Sequence, residues 1–211
     1  FPTRRSSDLA RQVCELAPVV PVLVIDDASR AEGLAKALIA GGLPALEVTL
    51  RTPAALEAIA EMAKVAGGVV GAGTLLTAED VEAAKLAGAV FGVSPGATDR
   101  LLDACEANDL PLLPGAATST EVMRLLERGY TMQKFFPAEA NGGAKALKAI
   151  GAPLPQVKFC PTGGITLENA HDYLSLSNTI CVGGSWVAPS GLVRAGDWAA
   201  ITALAAEAAM L

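Results

Sequence analysis

The sequence contains a single histidine, His171, among its 211 residues. Zinc sites built from two or three histidines therefore cannot form within this chain. The four cysteines include no pair with a two-residue gap, and so few cysteines favour free, mostly buried thiols in a reducing compartment over a disulfide scaffold. We therefore expect no metal and no catalytic role for His171, which lies in a predicted helix and should be a surface residue.

Charged residues are scarce, at 18% of the chain against 52% hydrophobic residues, which supplies a large core. The net charge of −6 argues against nucleic acid as a partner. The longest uncharged stretch, 173–193, is interrupted by Asn178, Pro189 and a pair of glycines, so it does not resemble a membrane span. No secretory signal pattern opens the chain, and we expect a cytoplasmic protein.

Residues 1–9, FPTRRSSDL, differ from the rest of the chain because they are charged and follow no apolar pattern. They match the translation of a common sequencing-adaptor oligonucleotide. We interpret residues 1–9 as a non-native tail and residues 10–211 as the folded domain, with a disordered natural tail as the alternative.

The remaining sequence repeats one pattern, in which short apolar runs rich in β-branched residues alternate with Ala-rich segments of helical spacing. The runs begin at positions 19, 45, 69, 90, 111, 132, 156 and 179. Helix starts are marked by Thr52 before Pro53, Thr77 with Asp80, and Thr118 with Glu121. Eight alternating units predict a parallel sheet closed into a single-domain (β/α)₈ TIM barrel. A doubly wound open sheet is the alternative, but the first strand lacks the Gly-rich turn of that fold.

Polar residues on the second strand are the first candidates for a site, because function in barrels lies at the carboxyl ends of the strands. Glu47, Thr49 and Arg51 alternate with apolar residues and share one face. A carboxylate there would be an acid/base group or one half of a structural ion pair between Glu47 and Arg51. The strand alone does not decide between these two interpretations.

Two predicted strands carry a lysine three residues before a proline: Lys134 in MQKFFP and Lys158 in QVKFCP. Loss of solvation favours the neutral form of an amine, which is nucleophilic toward a carbonyl. The alternative is a long side chain that reaches out from the strand end into water. Composition and spacing do not distinguish Lys134 from Lys158.

The last two predicted strands end in Gly-rich turns, at 161–165 and 182–185. Glycines let backbone N–H groups approach an anion, and the loops after strands seven and eight commonly bind phosphate in barrels. These turns indicate a phosphorylated substrate, and tight turns without a ligand are the alternative. A further Gly-rich turn, 71–74, places the Thr74 hydroxyl at the end of strand three.

Several of these motifs together resemble the bacterial 2-keto-3-deoxy-6-phosphogluconate aldolases, in order and over nearly all of the chain after about Ala17. They are EVTLRT (47–52), VGAGT (70–74), SPG (94–96), KFFPAEANGG (134–143), FCPTGGI (159–165) and GGSW (183–186). The resemblance implies a cofactor-free class I aldolase on a (β/α)₈ barrel, assembled as a homotrimer. The expected reaction yields pyruvate and glyceraldehyde 3-phosphate in the Entner-Doudoroff pathway.

The resemblance also implies a role for each matching residue. Lys134 resembles the Schiff-base lysine and Glu47 the general acid/base. Arg51 and Thr74 resemble the pair that binds the pyruvyl carboxylate. Pocket walls are implied for Pro95 and Phe136, and a phosphate cradle for Gly163, Gly164, Gly184 and Ser185 with Thr162 nearby.

Two other interpretations of function stay open. One is an aldolase of the same family that prefers 4-hydroxy-2-oxoglutarate or the galactonate epimer of the substrate. The other is a phosphosugar isomerase or epimerase, or a barrel that binds sugar phosphates without catalysis. Trapping of an imine separates this last class from an aldolase, because isomerisation needs no covalent lysine.

Overall fold

The computed structural model describes residues 2–211, with side chains from Ser7 onward, as strands that alternate with helices. The strands are β1 Val19–Leu23, β2 Ala45–Thr49, β3 Val69–Gly73, β4 Phe91–Val93, β5 Leu112–Leu113, β6 Gly115–Ala116, β7 Met132–Phe135, β8 Lys158–Pro161 and β9 Val182–Gly184. The helices are α1 Pro2–Cys14, α2 Ala31–Ala40, α3 Ala55–Met62, α4 Ala78–Leu86, α5 Asp99–Ala107, α6 Ser119–Glu127, α7 Gly143–Gly151, α8 Leu167–Leu174, α9 Ser190–Ala195 and α10 Trp198–Ala208. A short 3-10 helix, Ala28–Arg30, precedes α2.

Every strand pair in the sheet is parallel, which confirms the predicted α/β class. One sheet has the order β5-β4-β3-β2-β1-β9 and the other has the order β6-β7-β8. Two isolated parallel bridges, Phe159 to Thr179 and Thr162 to Gly183, connect β8 with β9 and the residues before it. The parallel strands therefore curl, with their carboxyl ends at one edge.

The fifth predicted strand is divided into β5 and β6 by Pro114. Proline has no N–H to donate to a neighbouring strand, so the ladder is interrupted at that position. The Pro114 carbonyl still accepts a hydrogen bond from the Lys134 N–H at 2.8 Å. The eight predicted runs thus correspond to nine strand segments.

Apolar side chains fill both sides of the curled sheet, as expected of parallel strands covered by helices. The larger layer lies between the strands and the surrounding helices and includes Leu34, Leu38, Ile59 and Met62. A smaller cluster contains Val20, Phe91, Val93, Leu113 and Met132 together with Cys14, Cys160 and Cys181. All four cysteines are free and buried, as predicted.

Two of the three predicted helix caps are confirmed. Thr77 with Asp80 and Thr118 with Glu121 form reciprocal capping boxes at the starts of α4 and α6. The prediction for Thr52 is wrong, because α3 begins at Ala55 and Thr52 does not cap it. The Thr52 hydroxyl instead donates to the Ile25 carbonyl and ties the turn after β2 to the residues after β1.

Helix α1 runs continuously through residue 9, where we placed the boundary of the folded domain. The Ser7 hydroxyl is buried and accepts hydrogen bonds from the N–H groups of Thr131 (2.9 Å) and Met132 (3.2 Å). Ser7 thereby satisfies backbone donors at the start of β7. Phe1, part of the same predicted tail, lies outside the described residues.

His171 is exposed in α8, as predicted. Among residues 2–211, no helix combines the length and the apolar character that crossing a membrane requires.

Candidate active site

A lysine and a glutamate from distant parts of the chain meet inside the curled sheet. Lys134 Nζ on β7 donates a hydrogen bond to Glu47 Oε1 on β2 at 3.3 Å. The two residues are only 4% and 3% exposed. The two groups predicted to perform the chemistry are therefore in direct contact and shielded from water.

The environment of Glu47 favours a carboxyl group that can take up and release a proton. Burial raises the pKa of Glu47 above its ordinary value, and the positive charges of Lys134 and Arg51 oppose part of this rise. A raised pKa brings a carboxyl group closer to the range in which it exchanges protons near neutrality. Burial thus favours a Glu47 carboxyl group that binds a proton more readily than an ordinary glutamate does.

The two candidate lysines have different surroundings. Lys134 pairs in register with Cys160, whereas Lys158 pairs with Met132 and begins β8 at the amino end of the sheet. Lys158 Nζ donates to the Ser177 carbonyl at 2.8 Å, away from Glu47. The structure therefore places Lys134, and not Lys158, beside the carboxylate.

The Phe136 ring forms one wall next to the lysine. Its centroid lies 5.2 Å from Lys134 Nζ, a distance at which an aromatic face attracts a cation. The Pro95 backbone passes closely over Gly115, the residue that pairs with Lys134 across the sheet. Of the two predicted wall residues, Phe136 lies beside the amine, and Pro95 lies over the strand next to β7.

Arg51 and Thr74 form a polar pair beyond the carboxyl ends of β2 and β3. Arg51 Nε donates to Thr74 Oγ1 at 3.2 Å. Thr74 has a φ of 62°, a left-handed conformation that β-branched residues seldom adopt and that is enriched at functional sites.

Among the described residues the ion pair of Glu47 is with Lys134, so the structural Glu47–Arg51 ion pair considered from the sequence is not formed.

The loop after β8 exposes its N–H groups on one side because its carbonyls are bonded on the other. The Thr162 and Gly163 carbonyls accept from Ala138 N (2.8 Å) and Glu139 N (3.1 Å). In a trans peptide the N–H points opposite to the C=O, so the N–H groups of Gly163 and Gly164 point away from residues 138–139. Their φ angles of 103° and 77° are conformations that favour glycine.

The second Gly-rich segment lies directly beside the first. Thr162 bridges to Gly183, and a Cβ on Gly183 would lie 2.3 Å from Thr162 Oγ1. Gly184 is buried and ends β9, and Ser185 follows it at the surface. The structure thus brings the predicted phosphate residues to one edge of the sheet.

Sequence reasoning did not find the side chains that support the first loop. The Tyr173 hydroxyl donates to Glu139 Oε1, and Asn169 Nδ2 donates to the Gly164 carbonyl at 3.1 Å. Glu139 follows β7, whereas Tyr173 and Asn169 lie on α8. No local sequence pattern predicts these contacts, although Glu139 lies within the motif KFFPAEANGG and could have been considered for that reason.

The site places a buried amine beside a buried carboxylate toward the carboxyl ends of parallel strands. This arrangement is typical of an enzyme that forms an imine with a carbonyl substrate. The family model of the KDPG and KHG aldolases matches residues 10–204. The chain belongs to this aldolase family.

Individual relatives agree with this assignment. The 2-dehydro-3-deoxy-phosphogluconate aldolase of Pseudoalteromonas atlantica is 53% identical over 94% of this chain and 93% of its own length. The crystal structure of the Zymomonas mobilis 2-keto-3-deoxy-6-phosphogluconate aldolase with 3-phosphoglycerate is 52% identical, with a TM-score of 0.91 over 97% of this chain and 95% of that one. The Legionella pneumophila KDPG aldolase, with pyruvate captured as a covalent carbinolamine, is 45% identical, with a TM-score of 0.91 over 94% and 97%.

Within residues 2–211, no group of three or more His, Cys, Asp and Glu side chains is placed to hold a metal ion.

Proposed function

We propose that this protein is a class I aldolase that cleaves 2-keto-3-deoxy-6-phosphogluconate into pyruvate and glyceraldehyde 3-phosphate. The observation that carries the proposal is the buried contact between Lys134 and Glu47 at 3.3 Å. Two Gly-rich segments at the carboxyl ends of β8 and β9 add to it. The names of the relatives support this substrate, and the carbinolamine in the Legionella enzyme supports covalent chemistry. The 3-phosphoglycerate in the Zymomonas enzyme is a phosphorylated three-carbon acid, close in size to the aldehyde product.

The reaction begins when the Lys134 ammonium group gives a proton to the Glu47 carboxylate and the resulting amine adds to the C2 ketone of the substrate. The Glu47 carboxyl returns this proton to the departing hydroxyl group, so loss of water from the carbinolamine gives a protonated imine and restores the carboxylate. The protonated imine accepts electrons from the C3–C4 bond. The Glu47 carboxylate removes the proton from the C4 hydroxyl. The C3–C4 bond then breaks, its electron pair forms the enamine, and the C4 oxygen becomes the carbonyl of glyceraldehyde 3-phosphate.

The second half of the cycle returns the proton. The Glu47 carboxyl, protonated in the first half, donates to C3 of the enamine and regenerates an imine, now of pyruvate. Addition of water to this imine releases pyruvate and restores the Lys134 amine. One residue serves as base and then as acid, which its buried position favours.

The remaining residues hold the two ends of the substrate. Arg51, supported by Thr74, binds the carboxylate next to the reacting ketone. At the other end, the N–H groups of Gly163 and Gly164 bind the phosphate together with Gly184 and Ser185. Thr162, Pro95 and Phe136 line the space between these two anchors.

We also propose that β1–β9 close into one (β/α)₈ barrel, which accounts for the bridges between β8 and β9. A homotrimer in the cytoplasm, without nucleic acid or membrane as a partner, completes the proposal. Light scattering coupled to size-exclusion chromatography measures the assembly, and a mass other than three chains would contradict the trimer.

Borohydride reduction in the presence of pyruvate tests the mechanism, because hydride converts the imine into a stable secondary amine. We expect inactivation and a reduced pyruvyl adduct on Lys134 in peptide mass mapping. Lys134→Met should abolish the adduct, and the matched variant Lys158→Met should retain it. An adduct on Lys158, or none, would contradict the proposal. Untreated enzyme should keep its activity in EDTA, since the steps need no metal.

A further inference from the structure

The Glu47 carboxylate occupies space that exists only because residue 73 has no side chain. Glu47 pairs in register with Gly71 on β3, yet its carboxyl group lies over Gly73, the last residue of that strand. A Cβ on Gly73 would lie 2.2 Å from Glu47 Oε1, 2.7 Å from Cγ and 2.8 Å from Cδ. The glutamate side chain therefore extends along β3 toward the carboxyl ends of the strands.

This glycine is not explained by backbone conformation. Gly73 is not among the residues of positive φ, so an alanine could adopt its backbone angles without strain. The three atoms nearest to its added Cβ all belong to Glu47. The absence of a side chain at residue 73 thus leaves room for the Glu47 carboxyl group.

We infer that Gly73 is a positioning residue that determines where the Glu47 carboxylate lies relative to Lys134 and the bound substrate. This inference rests on the proposed function, because it assigns Glu47 the proton transfers. A methyl group at residue 73 would force the carboxylate to move by roughly 1 Å to regain a normal contact distance. A displacement of that size in a reacting group can lower a rate by about 10²-fold.

Two half-reactions separate positioning from general damage. The first half-reaction is formation of the pyruvate imine on Lys134, and borohydride trapping measures it. The second half-reaction is exchange of the pyruvate methyl hydrogens for deuterium in D₂O, which proton NMR measures. Exchange requires imine formation and also transfer of a proton from the methyl carbon to Glu47, followed by return of a solvent deuteron. We expect Gly73→Ala to keep trapping within about threefold while exchange and kcat for cleavage fall by about 10- to 100-fold, with a smaller change in KM.

Gly71→Ala is the matched control, because it adds a methyl group on the same strand and the same face. Its Cβ would meet the Phe91 ring at 2.4 Å and not Glu47. We expect it to lower the melting temperature without changing the ratio of exchange to trapping. If both alanine variants lower exchange and trapping equally, Gly73 is merely structural and the inference is wrong.

A shorter acid provides the rescue experiment. Glu47→Asp withdraws the carboxyl group from Gly73, so adding Gly73→Ala to it should lower exchange by less than about threefold relative to Glu47→Asp alone. The same double variant tests folding: if Gly73→Ala alone is unfolded, restoration of folding by Glu47→Asp supports the contact, and failure to restore it contradicts the inference. An equal penalty from Gly73→Ala in both backgrounds would also overturn it.

The proposed function fails in a different way. Wild-type protein without a trapped adduct, or Glu47→Gln with wild-type exchange, contradicts the aldolase mechanism itself. Loss of exchange in Glu47→Gln together with normal exchange in Gly73→Ala leaves that mechanism intact and contradicts only the role of Gly73.

Discussion

Lys134 Nζ and Glu47 Oε1 lie 3.3 Å apart although the two residues are 87 positions apart in the chain. The contact spans β7 and β2, which are not neighbours in either sheet, so it crosses the space inside the curled strands. Each residue is the buried counter-charge of the other. Each charge therefore stabilises the other in the protein interior, and the same two groups carry out the proposed chemistry.

Replacing Glu47 by glutamine tests its proposed proton transfers. The amide keeps the volume of the side chain and most of its hydrogen bonding but cannot accept a proton. We expect kcat to fall by about 10²- to 10⁴-fold, the usual range for general acid/base catalysis, with a comparatively small change in KM. Steady-state kinetics on the phosphorylated substrate measure both constants, and near-normal turnover would return Glu47 to a structural role.

The raised pKa of Glu47 predicts the acid limb of the pH profile. The carboxylate is the active base, and burial favours its protonated form, so at a given low pH less base is present than for an ordinary glutamate. Activity should therefore be lost on acidification at a pH above the usual glutamate range near about 4.3. A profile of kcat/KM against pH measures the limb, and Glu47→Gln should lack it. A midpoint at or below the ordinary glutamate value would contradict the effect of burial.

Ser7 predicts a contribution of α1 to stability that is separate from catalysis. Ser7→Ala removes the acceptor for the N–H groups of Thr131 and Met132, and at least one buried donor loses its partner. We expect the free energy of unfolding to fall by about 1–3 kcal/mol. We expect kcat to stay within about twofold, because Ser7 contacts the amino end of β7 and the candidate site lies toward the carboxyl ends of the strands. Denaturant titration measures the change, and the exposed Ser190→Ala is the control. Equal stability of Ser7→Ala and wild type would show that the Ser7 hydroxyl contributes nothing to folding.

The arrangement of strands and helices could be predicted because each signal is local. Each apolar run is a short stretch of consecutive residues, and a capping box such as Thr118 with Glu121 joins residues three positions apart. Thr52 failed as a cap because its hydroxyl found a partner 27 residues away, the Ile25 carbonyl. Local pattern describes an element well until a long-range hydrogen bond competes for the same group.

The choice of lysine could not be made from local pattern, because Lys134 and Lys158 both precede a proline by three residues. Parallel register decides it, since β8 is offset so that Lys158 lies beside Met132 and its amine turns to Ser177. The family resemblance selected Lys134 before the structure placed it. The contact of the Glu47 carboxyl group with Gly73 could not be predicted from the sequence either. The role of a glycine in making room for a side chain can be recognised only when its neighbour on the adjacent strand is known.

The final prediction separates binding of the phosphate from the chemistry at the ketone. Ser185→Ala removes one hydroxyl donor next to Gly184 and leaves Lys134 and Glu47 unchanged. We expect kcat/KM for the phosphorylated substrate to fall by the equivalent of about 1–3 kcal/mol, as for a hydrogen bond to a charged group. With 4-hydroxy-2-oxoglutarate, which carries no phosphate but undergoes the same cleavage, the variant should match wild type within about twofold.

Comparison of the two substrates makes this test specific, because general damage to the site lowers both rates. Glu47→Gln is the reference for such damage, since it should impair both substrates to a similar extent. Steady-state kinetics with pyruvate detected in a coupled assay apply to both substrates and both variants. An equal loss on both substrates in Ser185→Ala would mean that Ser185 supports the loop after β9 and that the phosphate is bound elsewhere. Selective loss on the phosphorylated substrate would place the phosphate at the edge formed by Gly163, Gly164 and Gly184.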